Sequence, residues 1–89
     1  IETAARSLKA ISHPLRLKIL CVVGDAEVCV QDIVDAVGTS QSNISQHLGI
    51  LKASGLIESR KEGTRVFYFV DDPRILKLVA LTRDVFCTI

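Results

Sequence analysis

Apolar residues repeat with helical spacing inside a polar stretch in the middle of the chain. In "SQSNISQHLGIL", residues 40–51, the apolar side chains include Ile44, Leu48 and Leu51, which step by four and then by three positions. This spacing places them on one face of a helix and leaves polar side chains together on another face. That polar face is almost uncharged, whereas a solvated helix surface usually carries Lys and Glu. The pattern indicates a helix whose outer face forms hydrogen bonds with a partner.

The hydrophobic pattern and its stop signals predict five helices in one domain. They cover residues 3–10, 14–23, 30–37, 41–53 and 73–87. Pro14 fits the first turn of the second helix, with Ser12 or His13 as its cap. No linker, repeat or low-complexity segment divides the chain, so residues 1–89 are expected to form a single domain.

The third and fourth helices are predicted to form a helix-turn-helix. Gly38 ends the third helix at a position where a left-handed residue is needed, and Thr39 or Ser40 caps the next helix. Only about three residues separate the two helices. The quoted stretch is therefore the second helix of the motif.

A β-hairpin is predicted directly after the helix-turn-helix. Residues 56–60 and 65–70 are short extended runs, and the second, "RVFYFV", is rich in β-branched and aromatic residues. Residues 61–64 form a polar turn with Gly63 where a positive backbone angle is needed. A hairpin in this place is typical of a wing.

The last predicted helix has apolar residues on too many sides to bury them all against one domain. They are Ile75, Leu76, Leu78, Val79, Leu81, Val85 and Phe86. A helix that is apolar on two sides is buried on two sides. We expect one side to pack on its own domain and the other on a second copy of the chain.

Composition and charge refine this picture without deciding it. Hydrophobic residues make up 48% of the chain but aromatic residues only 4%, which favours an aliphatic core of helices packed on helices. The net charge of +1 neither requires nor excludes nucleic acid, because the location of charge decides binding. Positive charge concentrates late in the chain and predicts a basic edge, at Lys52, Arg60, Lys61 and Arg65.

The cysteines and the absence of long apolar runs indicate the compartment. Cys21, Cys29 and Cys87 are an odd number without close spacing, which argues against a secreted disulfide framework. No apolar run approaches the length of a membrane span. We therefore expect a cytoplasmic protein without a membrane partner.

The predicted helix-turn-helix implies double-stranded DNA as the partner. Its second helix lies in the major groove, where Gln bonds adenine and Ser bonds several bases or phosphate. The candidate base-reading residues are Ser40, Gln41, Ser42, Asn43, Ser45, Gln46 and His47. The candidate backbone contacts are the four basic residues Lys52, Arg60, Lys61 and Arg65.

Several of these residues have a plain structural alternative. The polar helix face can simply be solvated. His47 either turns into the fold or contacts the DNA backbone, and Arg16 either reaches phosphate or lies on a solvated helix face.

Three stretches resemble the winged-helix repressors of the ArsR/SmtB family. They are "ISHPLRLKIL", "SQSNISQHLGILKASGLI" and "RKEGTRVFYFV", and the likeness extends across nearly the whole chain. The resemblance implies a mainly α winged helix-turn-helix fold with about five helices and a two-stranded wing. It also implies a homodimer joined through the first and last helices, a recognition helix at Gln41–Ala53, and a palindromic operator released by an inducer.

The metal-sensing signatures of this family are incomplete in the chain. Many members use "CVC" in the third helix, but here "EVCVQD" has Cys29 followed by Gln31 in place of the second Cys. Other members hold zinc through His and carboxylates near the last helix, which here contains no His. Soft metals normally collect three or four N or S ligands, so we predict neither a metal site nor a cofactor.

Cys21 and Cys87 instead match the persulfide- and oxidant-sensing branch, of the BigR, SqrR and HlyU type. In that branch two thiols become bridged through sulfur atoms and the dimer loses its operator. The chemistry needs one thiolate to attack a sulfane or oxidant sulfur and a second Cys to resolve the product. The resemblance therefore implies reactive sulfur species or an oxidant as inducer, although both residues can also be ordinary apolar core side chains. Cys29 is then a bystander thiol.

Three other functions remain open from the sequence. A thiophilic metal or metalloid could be the inducer, bound by Cys21 and Cys87 with His13 or Cys29. A small thiol enzyme is disfavoured because no C-x-x-C motif appears, and we predict no enzymatic activity. A dimerising module that never touches DNA would show no salt dependence in duplex binding.

Overall fold

The computed structural model describes residues 1–86 and contains five helices and one three-stranded sheet within them. The helices are α1 (Glu2–Ile11), α2 (Pro14–Val23), α3 (Val30–Val37), α4 (Gln41–Ala53) and α5 (Pro73–Phe86). The strands are β1 (Val28–Cys29), β2 (Glu58–Glu62) and β3 (Arg65–Phe69). All five predicted helices are present, and α1 is one residue longer at each end than predicted. No helix within residues 1–86 is long and apolar enough to cross a membrane.

Local capping interactions fix where the helices begin and end. The His13 Nδ1 atom accepts a hydrogen bond from the Leu15 N–H at 3.1 Å and caps α2. The Ser40 hydroxyl oxygen accepts one from the Asn43 N–H at 3.1 Å and caps α4. Gly38 ends α3 in the left-handed conformation, with φ of 84°. These contacts confirm the predicted turn between α3 and α4.

The sheet differs from the predicted two-stranded wing in two ways. The turn between β2 and β3 is only Gly63-Thr64, because Lys61 and Glu62 continue β2 and pair with β3. The predicted turn at residues 61–64 is therefore wrong, and β2 begins at Glu58 rather than at residue 56. A third strand, β1, pairs antiparallel with the other edge of β3, giving the order β1-β3-β2. Two residues are too few to show the alternation that predicts a strand.

The core is aliphatic and centres on α2, α3 and α4. Its fully or nearly fully buried side chains are Ala10, Ile19, Leu20, Val23, Ile33, Ile44, Leu48, Leu51, Leu56, Ile57 and Val79. The predicted apolar stripe of α4 is completely buried, so its helical spacing is confirmed. Leu15 on α2 is only half-buried.

Apolar side chains of α1 and α5 remain exposed in the single chain. On α1 the exposed fraction of Leu8 is 54%, and on α5 the fractions for Leu81 and Phe86 are 60% and 79%. Only Val79 of α5 is buried. This is the distribution expected of two helices that also pack on another surface.

The burial of the α4 stripe can be tested by paired substitutions in one helix. We expect Leu48→Ala to lower the free energy of unfolding by about 2–5 kcal/mol, because it leaves a cavity in the core. Ile50→Ala, at a side chain 38% exposed, should cost less than about 1 kcal/mol. Urea denaturation at one fixed protein concentration measures both, and equal decreases would contradict this packing.

Candidate nucleic-acid interface

Four side chains of α4 form an exposed, uncharged surface, which we term the polar face of α4. They are Gln41, Ser42, Ser45 and Gln46. Gln41 also lines a cavity of about 420 Å³ with Thr64 and Arg65 of the hairpin. The start of α4 and the tip of the wing therefore border one continuous surface.

Two of the predicted base-reading residues already have partners within the turn. The Ser40 hydroxyl is occupied as the cap of α4. The Asn43 amide donates to the Thr39 hydroxyl oxygen at 3.2 Å, and Asn43 is half-buried. Both hold the start of α4 in place, so the exposed part of the predicted site is the polar face.

The Arg60 side chain contacts two acidic residues and one aromatic residue. Its guanidinium donates to the carboxylates of Glu27 and Glu62, the latter at 2.8 Å, and lies 4.8 Å from the centre of the Phe67 ring. The hydrogen bond to Glu27, followed by that to Glu62, raises the pKa of Arg60. Two carboxylates offset its charge, so this geometry favours a role in fixing the sheet over a phosphate contact.

The other basic residues differ in how they are engaged. Lys52 donates to the Ser59 hydroxyl at 2.6 Å and so links the end of α4 to β2. Lys61 and Arg65 are exposed on paired strands next to the hairpin turn. Neither forms an ion pair with a described residue. These two side chains are the basic groups best placed to approach a phosphate backbone.

His47 turns toward α2, which favours the structural alternative for this residue. Its Nδ1 atom lies 3.2 Å from a terminal guanidinium nitrogen of Arg16, and its ring centre is 4.6 Å from that of His13. Burial, with smaller contributions from His13 and Arg16, lowers the pKa of His47 from its ordinary 6.5. We term His13, Arg16 and His47 the histidine cluster.

Arg16 is not a solvated side chain, and no pattern in the sequence indicates its partners. It is half-buried and also donates through Nε to the Ala10 carbonyl oxygen at the end of α1. Its other partner, His47, is 31 residues away in the chain. No local periodicity or motif spacing predicts a pairing at that separation.

Cys21 and Cys29 occupy different places in the fold. Cys21 is half-buried on α2 and, with Arg83 of α5, lines two cavities of about 280 and 400 Å³. Cys29 precedes α3 and lines the cavity shared by Gln41 and Arg65. Cys87 lies outside the described residues, so its pairing with Cys21 stays a prediction. Within residues 1–86 no three His, Cys, Asp or Glu side chains gather as metal ligands.

Sequence comparison places this geometry in a known family. Residues 13–59, from the cap of α2 into β2, match the model described as "Bacterial regulatory protein, arsR family". This chain belongs to the arsR family. The biofilm growth-associated repressor of Xylella fastidiosa strain Temecula1 is 34% identical over 84 residues, which cover 94% of this chain and 74% of that protein.

Solved structures of arsR-family relatives confirm the winged helix-turn-helix fold. HlyU from Vibrio cholerae N16961 has a TM-score of 0.88 and 35% identity, covering 97% of this chain and 94% of that one. A homodimeric winged helix-turn-helix DNA-binding domain from Mycobacterium bovis has a TM-score of 0.86 and 36% identity, covering 94% and 78%. It is described as a possible ArsR-family transcriptional regulator.

The different environments of Arg60 and Lys61 predict different salt effects in this arsR-family protein. We expect Lys61→Gln to make the plot of log association constant against log salt concentration less steep. The slope should fall by about 0.9 for each phosphate that is no longer neutralised. Arg60→Gln should change that slope less, because Glu27 and Glu62 already offset its charge. Fluorescence anisotropy over a salt series measures both, using a duplex that the protein selects from a randomised library. A larger slope change for Arg60→Gln would contradict the assignment.

Proposed function

We propose that this arsR-family chain is a homodimeric transcriptional repressor that binds a palindromic operator and releases it after sulfur modification of Cys21 and Cys87. The observation that carries the DNA-binding part is the exposed, uncharged polar face of α4, whose Gln41 lines one cavity with Arg65 of the wing. Amide and hydroxyl groups suit base edges, and the neighbouring cations suit phosphates. Membership in a family of regulatory proteins supports this function over a thiol enzyme.

The proposed dimer brings two copies of α4 to one operator. Its interface consists of the exposed apolar side chains of α1 and α5, including Leu8, Leu81 and Phe86. The homodimeric M. bovis relative supports the formation of a dimer. Two-fold symmetry then requires two half-sites, with the polar faces in major grooves about one helical turn apart.

The proposed switch is sulfur transfer to a pair of thiols. One Cys thiolate attacks the outer sulfur of a persulfide, RSSH, forming a protein persulfide and releasing RS⁻. The second thiolate attacks the protein-bound inner sulfur of that persulfide and displaces HS⁻, which leaves a disulfide. The two thiols are oxidised and the sulfane sulfur is reduced to sulfide. If the protein persulfide first attacks the outer sulfur of a second RSSH and releases RS⁻, the second thiolate then displaces HS⁻ from the longer chain and leaves a trisulfide.

The surroundings of Cys21 support reaction with a small donor. The residue is half-buried where α2 packs on α5, and it lines two open cavities. Arg83, which lines both cavities, adds positive charge where an anionic sulfur donor would approach. A bridge from Cys21 on α2 to Cys87, which follows Phe86 in the sequence, would change the packing that joins the DNA-binding half of the domain to the proposed dimer face.

Direct base reading by α4 can be tested at one residue. We expect Gln46→Ala to weaken binding to the selected duplex by about 1–3 kcal/mol, because it removes a pair of hydrogen bonds to one base. Binding to an unrelated duplex of equal length should stay the same, since backbone contacts carry nonspecific affinity. Anisotropy titrations measure both affinities. An equal decrease on both duplexes would contradict base reading by Gln46.

The sulfur switch is tested by mass spectrometry of the reduced protein after separate exposure to a sulfane-sulfur donor and to zinc, cadmium and arsenite. We expect the donor to produce a species in which Cys21 and Cys87 are joined, with the mass of either a direct disulfide or a bridge containing added sulfur. Operator binding should fall at least tenfold. Cys21→Ser should abolish the bridge and keep the operator bound, whereas the matched control Cys29→Ser should respond like the parent protein. A stoichiometric metal adduct that releases DNA without a sulfur bridge would establish the metal-responsive alternative instead.

A further inference from the structure

The histidine cluster joins three helices at a single guanidinium group. Arg16 of α2 donates through Nε to the Ala10 carbonyl oxygen at the end of α1. A terminal nitrogen of the same group donates to His47 Nδ1 on α4 at 3.2 Å. Because α1 contributes to the proposed dimer face, this group sets part of the distance between that face and α4.

The hydrogen bond between Arg16 and His47 requires a neutral imidazole at His47. A guanidinium has only donors, so His47 Nδ1 must be the acceptor and the ring must be neutral with its proton on Nε2. His13 Nδ1 likewise accepts from the Leu15 N–H. An imidazolium carries hydrogen on both nitrogens, so a protonated His47 cannot accept from Arg16. Protonating His47 would therefore replace a hydrogen bond with two facing donors of like charge.

The groups around His47 disfavour its protonation. From α2 it faces His13 and Arg16, and both lower its pKa, after burial itself. From α1 the cluster receives a carbonyl oxygen, Ala10 O, which is bonded to Arg16. No carboxylate within residues 1–86 contributes to the pKa of His47. The neutral ring is thus the form that the surrounding elements select.

We propose that Arg16 and His47 position the recognition helix, and that acidification weakens operator binding by breaking their hydrogen bond. This inference rests on the proposed DNA-binding function and is independent of the cysteines. The sign follows from the neutral form: because the pKa of His47 in the folded chain is lower than 6.5, the hydrogen bond is intact above that pH. It breaks as the pH falls through that lowered pKa.

The direction of the pH effect on DNA affinity separates this proposal from a direct contact between His47 and DNA. If the ring met a phosphate, protonation would add a favourable charge and binding would strengthen on acidification. If the ring positions α4 through Arg16, binding to the selected duplex weakens instead. Only two His residues are present in the chain, so a small set of variants assigns the effect.

The test is fluorescence anisotropy with the selected duplex from about pH 7.5 to about pH 5, at constant ionic strength and with a thiol reductant. We expect the affinity of the parent protein to fall about tenfold across this range. His47→Gln keeps an acceptor but cannot titrate. Its affinity for the selected duplex should therefore be nearly the same at about pH 7.5 and at about pH 5. His13→Asn, which keeps a cap acceptor, should retain the decrease, because the hydrogen bond between Arg16 and His47 is still present.

Arg16→Lys completes the set because it keeps the positive charge and removes the forked geometry. We expect it to bind the selected duplex about fivefold more weakly at pH 7.5, the value of one hydrogen bond, and an unrelated duplex equally well. A flat or strengthening response of the parent protein, or the same response in His47→Gln, would overturn the positioning role. Unfolding of the parent at about pH 5, seen by circular dichroism, would also overturn it, whereas absence of duplex binding at pH 7.5 would overturn the proposed function as well.

Discussion

The burial of one side of α4 is the constraint on which the proposed interface depends. Ile44, Leu48 and Leu51 are completely buried, and each such side chain contributes about 1.5–3 kcal/mol relative to exposure. Rotating α4 by one residue, about 100°, would expose part of this stripe and bury amides or hydroxyls without partners. The cost of that rotation fixes the polar face of α4 outward, so the chemistry available to a partner follows from core packing.

Around α4, several basic and His side chains that the sequence offers for DNA contact instead form hydrogen bonds within the chain. Arg60 is bonded to Glu27 and Glu62, and His47 is bonded to Arg16. Lys52 similarly links α4 to β2. The surface that we propose for recognition is therefore smaller and less charged than the sequence suggests. An uncharged reading face with a few flanking cations favours specificity over strong nonspecific attraction to DNA.

Features with local signals could be predicted from the sequence, whereas those with distant partners could not. Gly38, Pro14 and the α4 stripe act within one or two helical turns, and the helices they specify are where they were expected. Strand β1 is two residues long and exists through pairing with β3. The Arg60–Glu27 contact spans 33 residues, and nothing in the local pattern marks it. The polar face was therefore predictable, while the engagement of Arg60 and His47 by distant side chains required the structure.

The most direct test of the central claim is an amide NMR titration of the reduced protein with its selected duplex. Recognition through α4 predicts the largest shift changes and line broadening at the polar face of α4 and at Lys61 and Arg65. It also predicts only small changes along the exposed apolar surface of α1 and α5, which the proposed dimer covers. Dominant changes on α1 and α5, with α4 and the wing unaffected, would contradict recognition through α4.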